Sequence, residues 1–306
     1  MTTKTQMANI QDKLQCIGVS SITQIFIGTL SAASVIASLP AQALEIDILP
    51  KRVKLGDTIS VLIELESQDQ PGIPTVTVGE KTYPTFEIAP NQYRSFIPTT
   101  PLEKPGVRKV VISGEGQRQR NIAVYVGNRK FRTQRITLPP GKAGTRATKH
   151  ELTRVKEFKA LQTLEKYWNG VFLRPNKGRM TTTYGVRRYY NGKFAHNYYH
   201  RGLDYASPTG SAVVAPAAGK VALVGKVSQG FIVHGNTVGI DHGQGVISIL
   251  LHLNSINVKE GDIVKPGQVI GTVGSTGAST GPHLHWGLYV NGKSIDPMPW
   301  KRQSIK

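Results

Sequence analysis

The feature that most constrains this chain is the period of its apolar residues. Downstream of residue 43 they come largely in short runs with a two-residue beat, and turn-forming residues separate the runs. Ile59-Ser60-Val61-Leu62-Ile63-Glu64-Leu65-Glu66 is largely alternating, and Ile122-Ala123-Val124-Tyr125-Val126 alternates throughout. Gln70-Pro71-Gly72, Gly79-Glu80 and Pro105-Gly106 supply turns between such runs. A period of two places alternate side chains on opposite faces of a strand, so the chain is predicted to be mainly β.

Six or seven strands in about 90 residues, all antiparallel by this pattern, predict an immunoglobulin-like β-sandwich over residues 44–137. This part contains no histidine and no concentrated polar cluster, which suits spacing, binding or regulation rather than chemistry. One segment departs from the two-residue beat. After the linker Leu138-Pro139-Pro140-Gly141, Leu152, Val155, Phe158, Leu161 and Leu164 recur at three- and four-residue spacing. That predicts an amphipathic helix from Thr148 to Trp168, so 138–168 is read as linker plus a connecting helix that packs on one of its neighbours. Residues 169–306 return to short strands with many glycines and are read as an antiparallel β-sheet domain; 306 residues leave room for two separate cores.

The first 43 residues read as a signal peptide. Ile22 to Leu39 is apolar, Lys4 and Lys13 precede it, and Ala41-Gln42-Ala43 closes it with an A-x-A pattern. Cleavage there predicts export, to the periplasm or to the cell wall and extracellular space. The only cysteine, Cys16, lies inside this segment, so the remainder can form neither disulfides nor thiolate zinc sites. Removing Lys4, Lys13 and Asp12 takes the formal charge from +19 to +18. So basic a chain is drawn to anionic wall or envelope polymers and, at most peripherally, to membrane headgroups. Nucleic acid is not expected as a partner, because no Arg-rich arm or zinc-finger spacing is present.

The chemistry gathers near the C-terminus. Seven of the eight histidines lie between His196 and His285, and from Gly170 onward the only carboxylates are Asp204, Asp241, Glu260, Asp262 and Asp296. A histidine-rich, acid-poor domain without cysteine points to zinc held by histidine and one carboxylate. In Gly281-Pro282-His283-Leu284-His285-Trp286-Gly287 two histidines stand one residue apart, on one face of a strand. His200 and Asp204 are four apart, and Gly202 with Tyr198, Tyr199 and Tyr205 favours strand there too. A catalytic zinc has three protein ligands and an open position. His200, Asp204 and one of the closing pair satisfy that, leaving the other histidine beside the metal to handle protons.

Rival chemistries fail on the letters. Gly277-Ala278-Ser279-Thr280-Gly281 matches the nucleophile elbow G-x-S-x-G, but no helix pattern follows and no histidine comes after Asp296. His150-Glu151 is not completed to H-E-x-x-H, because residue 154 is arginine.

Residues 180–297 closely resemble the lysostaphin-type (LytM-like) zinc metallopeptidases, which cut peptide cross-links in bacterial cell walls. The stretches that carry the resemblance include Tyr184-Gly185-Val186-Arg187, His200-Arg201-Gly202-Leu203-Asp204-Tyr205-Ala206, Ala215-Pro216-Ala217-Ala218-Gly219-Lys220-Val221, Ile240-Asp241-His242-Gly243, Leu251-His252-Leu253 and Gly277 to Asp296-Pro297. The resemblance implies one zinc per chain, with His200, Asp204 and His285 as metal ligands and His252 and His283 as catalytic histidines. His196, His234 and His242 fall outside the motif and are assigned structural or solvent-facing roles. Two residues before His252, where the family commonly has tyrosine, this chain has Leu250; Tyr198 and Tyr199 are the phenols nearest His200 in sequence.

The implied reaction is hydrolysis of a peptidoglycan cross-link or stem peptide by a monomeric enzyme. Water is activated at the zinc, and His252 and His283 share acid and base roles. The bond is D-alanyl–diaminopimelyl or glycyl–glycyl, the former favoured for an exported chain with no recognisable wall-anchoring repeat. The alternative is a peptidase-like module that binds the wall and activates another hydrolase. Such members usually lack a metal ligand, and this sequence keeps all three.

Overall fold

A computed structural model of the protein describes residues 44–65, 72–114, 119–137 and 146–305. The apolar segment 22–39, its A-x-A site and the linker 138–141 lie outside them. The first nine strands are β1 (Leu44–Leu49), β2 (Val53–Lys54), β3 (Thr58–Leu65), β4 (Thr75–Val78), β5 (Lys81–Tyr83), β6 (Thr85–Ala89), β7 (Gln92–Pro98), β8 (Gly106–Ser113) and β9 (Arg120–Gly127). They form two sheets, ordered β1-β3-β7-β6 and β2-β9-β8-β4-β5. Alternate residues of both sheets (Ile59, Val61 and Ile63 of β3, Val110 and Ile112 of β8, Val124 and Val126 of β9) meet in one apolar core. The sandwich expected from the two-residue period is therefore present.

Two pairings depart from the all-antiparallel expectation. β2 runs parallel to β9. The strand β10 (Thr133–Ile136) runs parallel to β12 (Arg187–Tyr190), in a small sheet completed by β13 (Lys193–Phe194), and so leaves the sandwich altogether.

The expected helix is present but shorter than its pattern. α1 spans Lys149–Lys159, capped by Thr148, whose Oγ accepts from Glu151 N at 3.0 Å. Val155 and Phe158 bury against Leu223 and Phe231, whereas Leu152 and Leu164 stay exposed. The helix ends because the following backbone bonds elsewhere. Thr163 O accepts from Gln244 N at 2.6 Å, and Tyr167 N donates to His242 O at 2.9 Å. These tertiary bonds replace the i to i−4 ladder, and local spacing carries no sign of them.

The remaining elements are β11 (Arg179–Thr182), β14 (Leu203–Ala206), β15 (Ala212–Val214), β16 (Gly219–Gly225), β17 (Asn236–Gly243), β18 (Val246–Ile256), β19 (Ile263–Val264), β20 (Val269–Val273), β21 (His283–Val290), β22 (Lys293–Ile295) and the short helix α2 (Pro297–Arg302). The central path of their antiparallel sheet is β11-β14-β21-β18-β17-β16-β19. One face packs Leu203, Leu250, Leu284, Trp286 and Leu288 into the main core. The other face carries Ile247, Ile249, Leu251 and Tyr289 toward α1.

The sandwich and this sheet share packing through β7. Tyr93 and Ile97 point into the sandwich core, while Phe96 points out, its ring centroid 6.3 Å from that of Trp168 and 5.6 Å from that of Trp300. Arg94, also buried, lies over the rings of Phe96 and Trp168, bonds to Gln244 Oε1, and is pulled down to about 10 by desolvation. Arg129 Nη2 meets Asp296 Oδ2 at 2.6 Å, and Asn291 Nδ2 donates to Phe96 O at 2.7 Å. Asn291 directly follows β21, and Asp296 directly follows β22.

Phe96→Ala would leave a cavity against two tryptophans. It is expected to destabilise the protein by about 3–5 kcal/mol, the usual range for a buried Phe→Ala change. A lowered midpoint of urea unfolding, with tryptophan fluorescence as the probe, checks it.

Candidate metal centre

Strand register builds the centre. β14 and β21 run antiparallel with Asp204 opposite His285 and Ala206 opposite His283. His200 stands just before β14, its backbone pinned by His200 N to Val186 O at 2.9 Å and Gly185 N to His200 O at 2.8 Å. Gly202 makes the close approach possible: a Cβ there would lie 2.2 Å from Trp286 O and 2.9 Å from His285 Cε1. Any side chain would push the His200 segment off β21.

Three donor atoms converge. His200 Nε2 lies 3.0 Å from Asp204 Oδ1 and 3.1 Å from His285 Nδ1, and His285 Nδ1 lies 2.9 Å from Asp204 Oδ1. His200 Nδ1 sits 2.9 Å from Thr183 O, a carbonyl that can only accept, so in the neutral ring Nε2 carries the lone pair. Donors bound to a tetrahedral zinc at about 2.0–2.1 Å stand roughly 3.3 Å apart, close to the spacing here. Two histidines and one carboxylate, all three buried, are a donor set that fits zinc. Burial works against ionisation of Asp204, but hydrogen bonds and charge from His200 and His285 outweigh it and hold the carboxyl well below the usual range. Burial lowers His285 to about 4 despite its bond to Asp204, so its ring is neutral at ordinary pH, as a ligand must be.

His252 reaches the same place through a bulge. Val238 pairs with Leu250 but Asn236 with Leu253, so β18 carries one residue more than β17 across this stretch. Strict alternation from Leu250, which faces the main core, would send His252 into that core as well. Instead His252 takes φ +64°, in the left-handed region, and its ring comes to 4.9 Å centroid distance from His283 and 6.4 Å from His285. That backbone costs a non-glycine residue roughly 1–2 kcal/mol, so the surroundings must enforce it. His252 N donates to His234 O at 3.1 Å, and His252 Nδ1 to Thr276 O at 2.8 Å. His283 is held alike, Nδ1 to Gly281 O at 2.8 Å, with Nε2 3.9 Å from Asp204 Oδ1. Burial, with repulsion from His283 and His285, lowers His252 to about 3. With each Nδ1 committed to a carbonyl oxygen, Nε2 is the nitrogen that carries the lone pair in the neutral form of both rings.

The five site residues named from the sequence are therefore all brought together, and the other histidines stand apart. His242 is fully buried, its Nδ1 2.8 Å from Ala218 O and its Nε2 2.8 Å from Ser248 Oγ. His196 is exposed, edge-on to Phe194. His234 bonds through Nδ1 to Glu151 Oε1 at 2.6 Å. Leu250 is buried among apolar residues on the opposite face from His285, so a phenol at that position would not enter the centre. Tyr199 is occupied in the core, its hydroxyl 2.8 Å from Ser294 Oγ. Tyr198 accepts from Arg188 Nη1 at 3.0 Å, and burial raises its hydroxyl well above the ordinary value. Ser279 lies in the loop before β21, Oγ 2.8 Å from Gly281 O and 3.2 Å from His283 Nδ1, with no helix behind it. The elbow match is a loop that steadies His283.

Glu151 was missed. The Thr148-Lys149-His150-Glu151 spacing is that of a capping box, in which the glutamate would return to the helix N-terminus. Here the carboxylate turns away to the 232–234 backbone, a contact visible only in three dimensions.

Residues 198–297 match the description "Peptidase family M23". A DD-carboxypeptidase/endopeptidase Mpg from Neisseria meningitidis serogroup B is 43% identical over 99 residues, which are 32% of this chain and 22% of that protein. A peptidoglycan DD-endopeptidase ShyB from Vibrio cholerae is 40% identical over 99 residues, with the same shares. The matched region thus spans about a fifth of the length of these relatives. A crystal structure from Pseudomonas aeruginosa assigned to peptidase M23 is 27% identical with a TM-score of 0.60, covering 82% of this chain and 95% of its own, so the likeness extends into the N-terminal sheets. On motif, geometry and likeness together, residues 198–297 are a peptidase family M23 domain of the lysostaphin/LytM-like kind.

Proposed function

We propose that the protein is an exported zinc endopeptidase that hydrolyses peptide cross-links or stem peptides of peptidoglycan. The observation that carries this is the convergence of His200 Nε2, Asp204 Oδ1 and His285 Nδ1, with His252 and His283 turned toward the same point. Zinc bound by these three residues supplies a Lewis acid that polarises a carbonyl and lowers the pKa of water toward ~7. The chain's own part is orientation and proton transfer. Thr276 O and Gly281 O fix the two rings so that each Nε2 can accept a proton from attacking water or return one to the leaving amine. Protonated, either ring can also donate a hydrogen bond to the oxyanion that forms at the carbonyl.

A relative called a peptidoglycan DD-endopeptidase supports peptidoglycan as the substrate, and of the two bonds we favour D-alanyl–diaminopimelyl over glycyl–glycyl. The formal charge of +19 suits an anionic wall polymer. The complete donor set speaks against the non-catalytic alternative.

The test is digestion of a soluble cross-linked muropeptide by the purified protein, followed by mass spectrometry. The expected result is two halves that together gain the elements of one water, at about one zinc per chain, and loss of cleavage on chelation. Stoichiometric zinc with the cross-link intact would reject the enzyme, and wall binding without cleavage would favour the module.

A further inference from the structure

Outside residues 198–297 one acidic side chain is wholly buried against the support of the site. Glu151 of α1 is 0% exposed. Its oxygens accept from the backbone nitrogens of Ile232 at 3.2 Å, Val233 at 3.1 Å and His234 at 2.6 Å, and from His234 Nδ1 at 2.6 Å. Such a cluster of donors on one carboxylate makes a rigid clamp, because bonds to an ionised acceptor are the strong ones. What the clamp grips is the loop whose His234 carbonyl receives His252 N at 3.1 Å. On its other side the loop is wedged against the Thr276 turn: Asn236 N donates to Thr276 Oγ1 at 3.0 Å, and a Cβ on Gly235 would strike Thr276 O at 2.5 Å. Thr276 O in turn receives His252 Nδ1. Both bonds that hold His252 in its left-handed conformation thus run to the clamped loop and to the turn wedged against it.

We propose that Glu151 is a positioning residue for His252, supplied by the connecting helix rather than by the M23 domain itself. The inference rests on the reading of this site as a peptidase, with His252 handling protons. Without the carboxylate, the 232–234 amides must find other acceptors, the loop relaxes, and His252 loses the contacts that oppose its strained φ. The metal donors belong to β14, β21 and the segment before β14, so they do not depend on the clamp.

The test compares full-length Glu151→Gln with Val155→Ala, which loosens the same helix through its apolar face. Glu151→Gln is expected to keep about one zinc per chain and an unchanged KM while kcat falls about 10–100-fold, the range for losing a group that orients a site residue. Amide hydrogen exchange at His252 and His234 should accelerate in Glu151→Gln well beyond any change in Val155→Ala, whose kcat stays near wild type. Should Glu151→Gln fail to fold, His234→Ala removes one bond of the clamp and is expected to lower kcat several-fold with the same exchange signature. Unchanged protection of the His252 amide in the folded variant, or a kcat loss no greater than that of Val155→Ala, overturns the proposal. If wild type does not cleave the muropeptide but Glu151→Gln deprotects His252, the assigned reaction fails and the positioning role stands.

Discussion

His285→Ala is expected to leave the purified protein without zinc and without cleavage of a cross-linked muropeptide. The substitution removes one of three donors that stand 2.9–3.1 Å apart, and the donor it removes faces Asp204 across the β14–β21 ladder. Two ligands, His200 and Asp204, would remain, one short of the three that hold a catalytic zinc. Asp204 also loses a hydrogen bond that keeps its carboxyl well below the usual range, so its pKa moves up toward that of an ordinary carboxylate. Elemental analysis of wild type and variant, purified side by side, gives the metal content. A change from about one zinc per chain to near none is the expected outcome. Full occupancy in His285→Ala would exclude it as a ligand, whatever happens to activity.

Replacing either of the other two histidines should separate metal from turnover. His252→Ala and His283→Ala keep most of the zinc, because neither ring is among the three converging donors. Each is expected to lose on the order of 10²–10⁴ in kcat, the range for deleting a positioned acid or base. His252 is the more buried of the pair, and burial with two neighbouring imidazoles holds it near 3, so it starts each cycle neutral. His283 is the more exposed of the two, with its Nε2 3.9 Å from Asp204 Oδ1. Steady-state kinetics on a soluble cross-linked substrate, paired with zinc content, reads both effects. Near wild-type turnover in either variant would remove that residue from the mechanism.

The N-terminal part shows how far patterning reaches. Alternation in Ile59–Leu65 and Ile122–Val126 was enough to foresee a two-sheet core, because a half-buried strand writes its buried face at every second residue. β7 resisted the same treatment, since both of its faces are buried, one in the sandwich and one against Trp168 and Trp300. The helix over Lys149–Lys159 was legible from its period, but its end was not, because the bonds that stop it come from Gln244 and His242.

At the site the division follows sequence distance. The two-residue step from His283 to His285 and the four-residue step from His200 to Asp204 place side chains by local backbone geometry, and with the family resemblance they named the donors and both further histidines. Local spacing cannot say which strands lie side by side. That Asp204 stands opposite His285, 81 residues away, is a matter of register, which the whole sheet sets. His252 reaches the site face only because an extra residue in β18 breaks the alternation, and Glu151 supports it from 83 residues before His234. The sequence by itself determined the donor types, their local spacing and the mainly β fold. The tertiary structure alone decided the register, the bulge and the buried carboxylate, because each is held by contacts between segments far apart in the chain.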